Sequence, residues 1–145
     1  MTQLQAGVPN MVRIEQRTLD QLVDTYLNRK TTQTRQLVWN ELASMETLYF
    51  VQCGSRNASV PWVVFEHDEP IAMVFTDRAR ALAAAQAIVE DHTELRVVGL
   101  PTNAASMYIA ALAAQGVTTV CFNHGPKRFD APVDEVYMAL SAMNR

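Results

Sequence analysis

Apolar residues recur along this chain with two different spacings, and these spacings divide it into predicted elements. Near the N-terminus, Leu19, Leu22 and Val23 follow the spacing of one helical face. Thr18 precedes them, and Gln21 follows it three residues later, which is the sequence signature of a capping box. The pattern therefore predicts a first helix that begins directly after Thr18.

A second helix is predicted after a polar break at residues 28–34. Its apolar positions Leu37, Val38 and Leu42 share one helical face, while Trp39 lies off that face. We therefore expect Leu37 to contribute to the core and the break to separate the two helices.

The pattern changes at residue 47 to short runs rich in β-branched and aromatic residues, which are typical of strands. Three such runs, at residues 48–51, 60–66 and 71–75, are separated by segments rich in turn-forming residues. Because their connections are short, they are expected to form an antiparallel meander.

From residue 76 onward, helical and strand patterns alternate. The predicted elements are a helix at 76–89, a strand at 95–99, a helix at 101–115, a strand at 117–122 and a final helix whose start is marked by Asp130 and Pro132. Right-handed crossovers would make the last three strands parallel. An antiparallel arrangement also fits if the helices lie along one sheet edge.

These elements predict an α/β fold with some α+β character. We expect one domain over residues 1–145, with a polar lead at 1–16, a mixed five-stranded sheet and about five helices. The chain has 145 residues, of which 49% are hydrophobic and 19% are charged. This balance is typical of a globular domain and unlike that of disordered chains.

Charge and hydropathy exclude several classes of protein. The formal net charge of -3 gives no overall cationic field, so nucleic acid is not an expected partner. No apolar run approaches the roughly 18 residues that span a bilayer, and the N-terminal residues do not follow the pattern of a secretory signal. Cys53 and Cys121 lie in apolar runs, as reduced thiols do. We therefore expect a cytoplasmic protein without a membrane segment.

Polar residues follow each of the three strands that are predicted to be parallel. Ligands of open α/β sheets bind beyond the carboxyl ends of such strands. The candidate ligand-binding residues are Thr76, Asn103, Asn123, His124, Lys127 and Arg128. If the three strands are neighbours, these groups converge, and the loop with an imidazole and two cations could bind a small anion.

The preferred interpretation of the same residues is structural, because threonine and asparagine cap helices and glycine shapes turns. No cofactor or metal is expected, since His67, His92 and His124 lie far apart and no cysteine or histidine pair has zinc-ligand spacing. No catalytic residues are assigned, because both cysteines lie in strand patterns where thiols are usually inert.

Several short motifs carry a resemblance to a known family. They are Glu41-Leu42 leading to Leu48-Tyr49-Phe50-Val51, Phe75-Thr76-Asp77 before a helix, and Gly116-Val117 leading to Phe122-Asn123-His124-Gly125-Pro126. Over about residues 36–140 the chain resembles the N-terminal domain of the SseB-like family. His124 departs from the family pattern, which has a proline or small residue there. The resemblance implies a bacterial α/β domain with a binding or regulatory role and no catalytic residues.

The sequence therefore predicts a non-enzymatic interaction or regulatory module that self-associates as a homodimer or binds another protein. Both faces of the strand at 60–66 are apolar, with Trp62 and Val64 on one face and Val63 and Phe65 on the other. An edge strand of this kind could pair with a partner chain. Alternatively, it is buried under the first two helices. The second functional hypothesis is a small-molecule or anion-binding domain, with or without enzymatic activity, that uses the six strand-exit residues.

Overall fold

A computed structural model describes residues 18–54, 60–88 and 94–142 of the chain. The predicted polar lead at 1–16 and the predicted helix end at Val89 lie outside these residues. Contacts divide the chain into two compact units, Met1–Trp39 and Asn40–Arg145.

The first unit contains helix α1 (Leu19–Asn28), which the capping-box pattern predicted. The Thr18 hydroxyl accepts a hydrogen bond from the Gln21 amide at 3.2 Å. In return, the Gln21 side chain accepts one from the Thr18 amide at 2.9 Å. Two of the amides that the first helical turn leaves without partners are thereby satisfied, which fixes where α1 begins.

Helix α2 (Thr32–Ala43) begins inside the segment that was predicted to be a break. Thr31 and Thr34 explain its start, since the Thr31 hydroxyl accepts from the Thr34 amide at 3.0 Å and the Thr34 hydroxyl accepts from the Thr31 amide at 3.1 Å. The predicted core position of Leu37 was wrong. Its side chain is exposed, whereas Trp39 is buried.

The described residues of the second unit form ten further elements. Its strands are β1 (Thr47–Cys53), β2 (Val60–Pro61), β3 (Val63–Glu66), β4 (Glu69–Val74), β5 (Leu95–Pro101), β6 (Thr119–Phe122) and β7 (Phe129–Pro132). Its helices are α3 (Arg78–Ile88), α4 (Thr102–Ala114) and α5 (Val133–Ala142). With α1 and α2 they confirm a mixed α/β fold.

The strands form two sheets instead of the single sheet of five that was predicted. One sheet has the order β2-β1-β5, and the other has the order β3-β4-β6-β7. The predicted antiparallel meander is confirmed, since β2 pairs antiparallel with β1 and β3 forms an antiparallel hairpin with β4. The predicted strand at 60–66 is divided at Trp62, because residues 60–61 pair with β1 and residues 63–66 pair with β4.

The three strands that were predicted to be parallel do run in the same direction, but only two of them are neighbours. β4 and β6 are parallel neighbours. β5 instead pairs antiparallel with β1 in an unbroken register from Thr47 opposite Pro101 to Cys53 opposite Leu95. The two strands have seven residues each, and every residue of one lies opposite a residue of the other. The crossover from β4 to β6 therefore contains a strand as well as two helices.

A further correction concerns Asp130 and Pro132, which were predicted to begin the last helix. Both lie in strand β7, which pairs antiparallel with β6. Phe129 and Ala131 are buried while Asp130 and Pro132 are exposed, so this segment has the alternation of a half-buried strand. Pro132 then ends the strand, and α5 begins at the next residue.

The two sheets are joined by one antiparallel bridge between Tyr49 of β1 and Phe75 at the end of β4. The Tyr49 amide donates to the Phe75 carbonyl at 2.8 Å, and the Phe75 amide donates to the Tyr49 carbonyl at 2.9 Å. Trp62 lies at the same junction. Its amide donates to the Val51 carbonyl at 2.9 Å, and its indole stacks on the Phe75 ring with 6.3 Å between the centroids.

Helices cover both faces of the joined sheets. On one face, Ala81 and Ala85 of α3 are fully buried in a cluster that includes Val51, Met73 and Phe75. Alanine at these two positions lets the helix lie close to the strands. On the other face, α4 contacts β1 and β5 while α5 contacts β6 and β7.

The hairpin between β3 and β4 turns through His67 and Asp68, which both have positive φ angles of 52° and 67°. Two central residues with positive φ are the mark of a type I′ turn, which suits the right-handed twist of paired strands. Asparagine and glycine are the usual residues there, since other side chains are strained in this conformation.

We predict that Asp68→Gly raises the free energy of unfolding by about 0.5–1 kcal/mol, because glycine adopts a positive φ without the steric cost of a side chain. Urea denaturation of the purified protein measures the change. As a control, Glu69→Gly places glycine in the adjoining strand β4 and is expected to lower the stability. Equal losses in both variants would contradict the strain assigned to the turn.

Candidate functional site

Two of the predicted strand exits are direct neighbours because β4 and β6 run parallel, with Val74 opposite Phe122. The chain leaves β6 at Asn123, whose amide donates to the Val74 carbonyl at 2.8 Å. Thr76 leaves the neighbouring strand at the same level. The fold thus brings Thr76 and Asn123 together, although 47 residues separate them in sequence.

Thr76 and Asn123 satisfy each other with two hydrogen bonds. The Asn123 side-chain carbonyl accepts from the Thr76 amide at 3.0 Å, and its amino group donates to the Thr76 hydroxyl at 2.9 Å. Asn123 is 5% exposed and has a φ of 56°, which asparagine tolerates better than most residues. Because these polar groups are used within the protein, the pair mainly locks the two strand exits together.

Asp77 also has a structural partner next to this pair. Its carboxylate accepts from the Arg80 amide at 2.7 Å, which caps the first turn of α3. The same carboxylate lies 3.2 Å from the Arg80 guanidinium. The N-terminus of α3 therefore already carries an anionic group of the protein itself.

The third strand exit lies apart from the other two. Tyr49 is opposite Gly99 of β5 on one side and opposite Phe75 on the other, so β1 separates β5 from β4. Three strand spacings of about 4.8 Å, or roughly 14 Å, lie between β5 and β6. Asn103, which follows β5, and Asn123, which follows β6, therefore belong to separate parts of the sheet edge.

Thr102 and Asn103 satisfy local backbone groups at this third exit. The buried Thr102 hydroxyl donates to the Met45 carbonyl, and the Thr102 amide donates to the Glu46 carbonyl at 3.1 Å. The exposed Asn103 side chain accepts from the Ala104 amide at 2.9 Å. Both residues thus connect the start of α4 to neighbouring backbone.

The loop between β6 and β7 carries the remaining three candidates, His124, Lys127 and Arg128. It turns at Gly125, whose φ of 136° requires glycine, and the Arg128 amide donates to the Gly125 carbonyl at 3.2 Å. His124 is exposed, while Lys127 and Arg128 are partly buried. The structure therefore separates the exposed imidazole from the two partly buried basic side chains.

Arg128 forms three side-chain hydrogen bonds to two carboxylates. Its two terminal nitrogens donate to the two carboxylate oxygens of Glu66 at 3.1 and 3.2 Å, and its Nε donates to Asp130 at 3.0 Å. This bidentate geometry is the favoured one for arginine and a carboxylate. Glu66 ends edge strand β3 and Arg128 precedes edge strand β7, so the ion pair spans the two inner strands of the sheet.

The pKa values of this cluster favour its charged state. The hydrogen bond from Arg128 lowers the pKa of Glu66, against a smaller opposing effect of burial. For Arg128, burial acts to lower the pKa, but the hydrogen bonds to Glu66 and Asp130 outweigh it and raise the pKa. An external anion would therefore have to displace two carboxylates from the guanidinium before binding it.

Cys121 lies beneath this cluster, opposite Asp130 in the β6–β7 ladder. Its side chain is fully buried. Burial raises the pKa of the Cys121 thiol, and the nearby Asp130 carboxylate raises it further. Burial also raises the pKa of Cys53. Both cysteines are free thiols whose protonated form is favoured, which is unsuited to nucleophilic chemistry.

Several site features had no signal in the sequence. The Glu66–Arg128 pair joins residues 62 positions apart, and neither lies in a recognisable motif. A small open pocket of about 140 Å³ is lined by Gly54, Glu94, Leu95 and Arg96, none of which was a predicted site residue. Its volume is below the roughly 300 Å³ of ordinary ligand pockets.

Metal binding and membrane insertion find no support in the described parts of the chain. Residues 18–54, 60–88 and 94–142 contain no group of three or more histidine, cysteine or acidic side chains placed to hold a metal ion. Within the same ranges, no helix has the length and apolar character needed to cross a bilayer.

We predict that Asn123→Ala lowers the free energy of unfolding by about 2–4 kcal/mol, because it leaves the partly buried Thr76 amide without its hydrogen-bond acceptor and places alanine at a positive φ. Asn123→Gly should lose less, since it removes the hydrogen bonds without the strain. The exposed Asn103→Ala serves as the matched control and should cost less than about 1 kcal/mol. Equal losses at positions 103 and 123 in chemical denaturation would refute the structural role of the Thr76–Asn123 pair.

We predict a pH-dependent loss of stability in Glu66→Gln. Since the pKa of Glu66 is lowered in the folded state, its contribution is present above the ordinary glutamate pKa and disappears as the pH falls through the folded value. The difference from the native protein should be at most about 1 kcal/mol at neutral pH, as the pair is partly exposed.

Denaturation of both proteins between pH 3 and pH 7 tests this difference. Glu69→Gln, which removes the exposed carboxylate opposite Glu66 in the same hairpin, is the control and should show no comparable loss at neutral pH. A Glu66→Gln difference that grows on acidification would contradict the ion pair.

Comparison with known proteins gives no independent support for a family. No protein-family model matches the chain, and no curated protein matches it significantly. The resemblance to the SseB-like family therefore stays a prediction from short motifs.

Proposed function

We propose that this chain is a non-enzymatic interaction or regulatory module that self-associates through edge strand β3. The observation that carries the proposal is the Phe65 side chain, which lies on this edge strand and is 71% exposed. Burial of an aromatic side chain against a partner would contribute favourable free energy that the isolated chain does not gain.

The other edge strands carry features that disfavour pairing with another chain. Prolines, glycines and exposed charges at sheet edges block strand addition, and short strands offer few hydrogen bonds. These features are Pro61 in the two-residue strand β2, Arg96, Gly99 and Pro101 in β5, and Asp130 and Pro132 in β7. Among the described edge strands, β3 is the one that contains no proline and no glycine and whose only charged residue has an ion-pair partner.

The single charged residue of β3 is Glu66, and Arg128 of the same chain neutralises it. Val63, Val64 and Phe65 are apolar. A partner strand would therefore meet an edge whose exposed side chains are hydrophobic and whose one carboxylate is already paired. This arrangement favours association, because β3 lacks the unpaired charge that usually prevents an edge strand from pairing with another chain.

The non-enzymatic part of the proposal is supported by the partners of the candidate residues. Thr76 and Asn123 hydrogen-bond to each other, and Arg128 binds two carboxylates. The buried thiol of Cys121 has a raised pKa. The polar groups most suited to bind or activate a substrate are thus engaged in holding the fold.

The proposal extends to where the protein acts. Free thiols at Cys53 and Cys121 are compatible with a reducing compartment, and we propose that the chain functions in the cytoplasm. The SseB-like motifs favour a bacterial origin and a regulatory role, as that resemblance implies. Neither nucleic acid nor membrane lipid is a proposed partner, in keeping with the net charge of -3.

Sedimentation equilibrium of the native chain over a range of concentrations tests the self-association. The contact is small, so we expect the average mass to rise from monomer toward dimer at roughly 10–1000 µM. Phe65→Lys should remain monomeric throughout, because it removes the apolar contact and places a charge on the edge.

The matched control is Met138→Lys. Met138 is 69% exposed, similar to the 71% of Phe65, but it lies on helix α5 and not on an edge strand. This variant should associate as the native chain does. A native chain that is monomeric at every concentration, or a Phe65→Lys variant that dimerises normally, would rule out self-association through β3.

A further inference from the structure

The backbone of β3 determines how a second chain could pair with it, and this inference rests on the proposed self-association. In a hairpin with a two-residue turn, the residues that close the turn exchange both of their hydrogen bonds. Here these residues are Glu66 and Glu69. Hydrogen-bonded and non-hydrogen-bonded pairs then alternate along an antiparallel ladder.

This alternation separates inward-facing from outward-facing backbone groups. Val64, like Glu66, directs its amide and carbonyl toward β4, where it pairs with Ile71. Phe65 lies opposite Pro70, which has no amide hydrogen to share, as expected of a non-hydrogen-bonded pair. The amides and carbonyls of Val63 and Phe65 therefore face the open edge of the sheet.

A symmetric pair of antiparallel strands can align these groups around three different twofold axes. An axis at Val63 places Phe65 opposite Pro61 of the partner subunit, which cannot donate a hydrogen bond. An axis at Phe65 places Val63 opposite His67 of the partner subunit, which lies in the turn with a positive φ. Each of these two registers leaves outward-facing groups of the edge without suitable partners.

The third axis passes through Val64 and satisfies the whole edge. Val63 then exchanges two hydrogen bonds with Phe65 of the partner subunit, and Phe65 does the same with the partner's Val63. These four bonds use all outward-facing amides and carbonyls of β3. We infer that β3 binds a second copy of this chain antiparallel about an axis at Val64, which joins the two four-stranded sheets into one.

Side-chain chemistry agrees with this register. The exposed Phe65 ring lies beside Val63 of the partner subunit, so it gains an aromatic contact with a β-branched side chain. Glu66 lies opposite the partner's Trp62, which keeps the two Glu66 carboxylates apart and leaves each with its own Arg128. The pairing thus brings no like charges face to face.

Cysteine substitutions distinguish the three axes, because only the residue on the axis meets its own copy across the interface. Cross-strand neighbours have Cα atoms about 4.5–5.5 Å apart, within the range of a disulfide. Val63→Cys, Val64→Cys and Phe65→Cys are each made in a Cys53→Ser background. They are incubated with oxidised glutathione, which accepts the two electrons and two protons lost by the thiol pair.

We expect Val64→Cys to form the covalent dimer at least about tenfold faster than the other two variants. Faster cross-linking of Val63→Cys or Phe65→Cys, in a native chain that dimerises, would overturn the axis at Val64 but leave the proposed function intact. Cross-linking of none of them, together with a monomeric native chain in sedimentation, would overturn both.

Hydrogen exchange of the native chain provides a test that needs no substitution. Raising the protein concentration through the dimerisation range should slow exchange of the Val63 and Phe65 amides. The Val64 amide, which bonds to β4 in either state, should show little change and serves as the internal control. Unchanged exchange at Val63 and Phe65 in a dimerising native chain would assign the dimer contact to another surface.

Discussion

The paired backbone of Tyr49 and Phe75 is the constraint on which the larger unit depends. Two hydrogen bonds at this position join a three-stranded and a four-stranded sheet that otherwise share no regular ladder. The bridge also sets which side chains share a face, because paired residues of neighbouring strands point the same way. The buried cluster under α3 therefore contains Val51 from one sheet and Met73 from the other.

The same constraint explains why the strand exits do not assemble into one ligand site. β5 and β4 both run antiparallel to β1, so their carboxyl ends lie at the same sheet edge, as the sequence suggested. However, β1 separates them, and only the exits of β4 and β6 are adjacent. At that junction, the side chain of the buried Asn123 hydrogen-bonds to the amide and hydroxyl of Thr76.

Local sequence was sufficient to locate most elements but insufficient to pair them. The Thr18–Gln21 capping box and the apolar runs of β1 and β4 are properties of neighbouring residues, and they predicted those elements correctly. Whether β5 pairs with β1 or with β4 depends on contacts between residues about 50 positions apart. Asp130 and Pro132 favour a helix start by composition, yet pairing with β6 makes the segment a strand.

The division of one short segment between two sheets has a consequence for folding. Residues 60–61 complete the first sheet and residues 63–66 complete the second, with Trp62 stacked on Phe75 between them. If this segment detaches from one sheet, the other sheet loses an edge strand as well. We therefore expect the two sheets to unfold in a single cooperative transition, so that a substitution that weakens the packing of Trp62 lowers the stability of the entire unit.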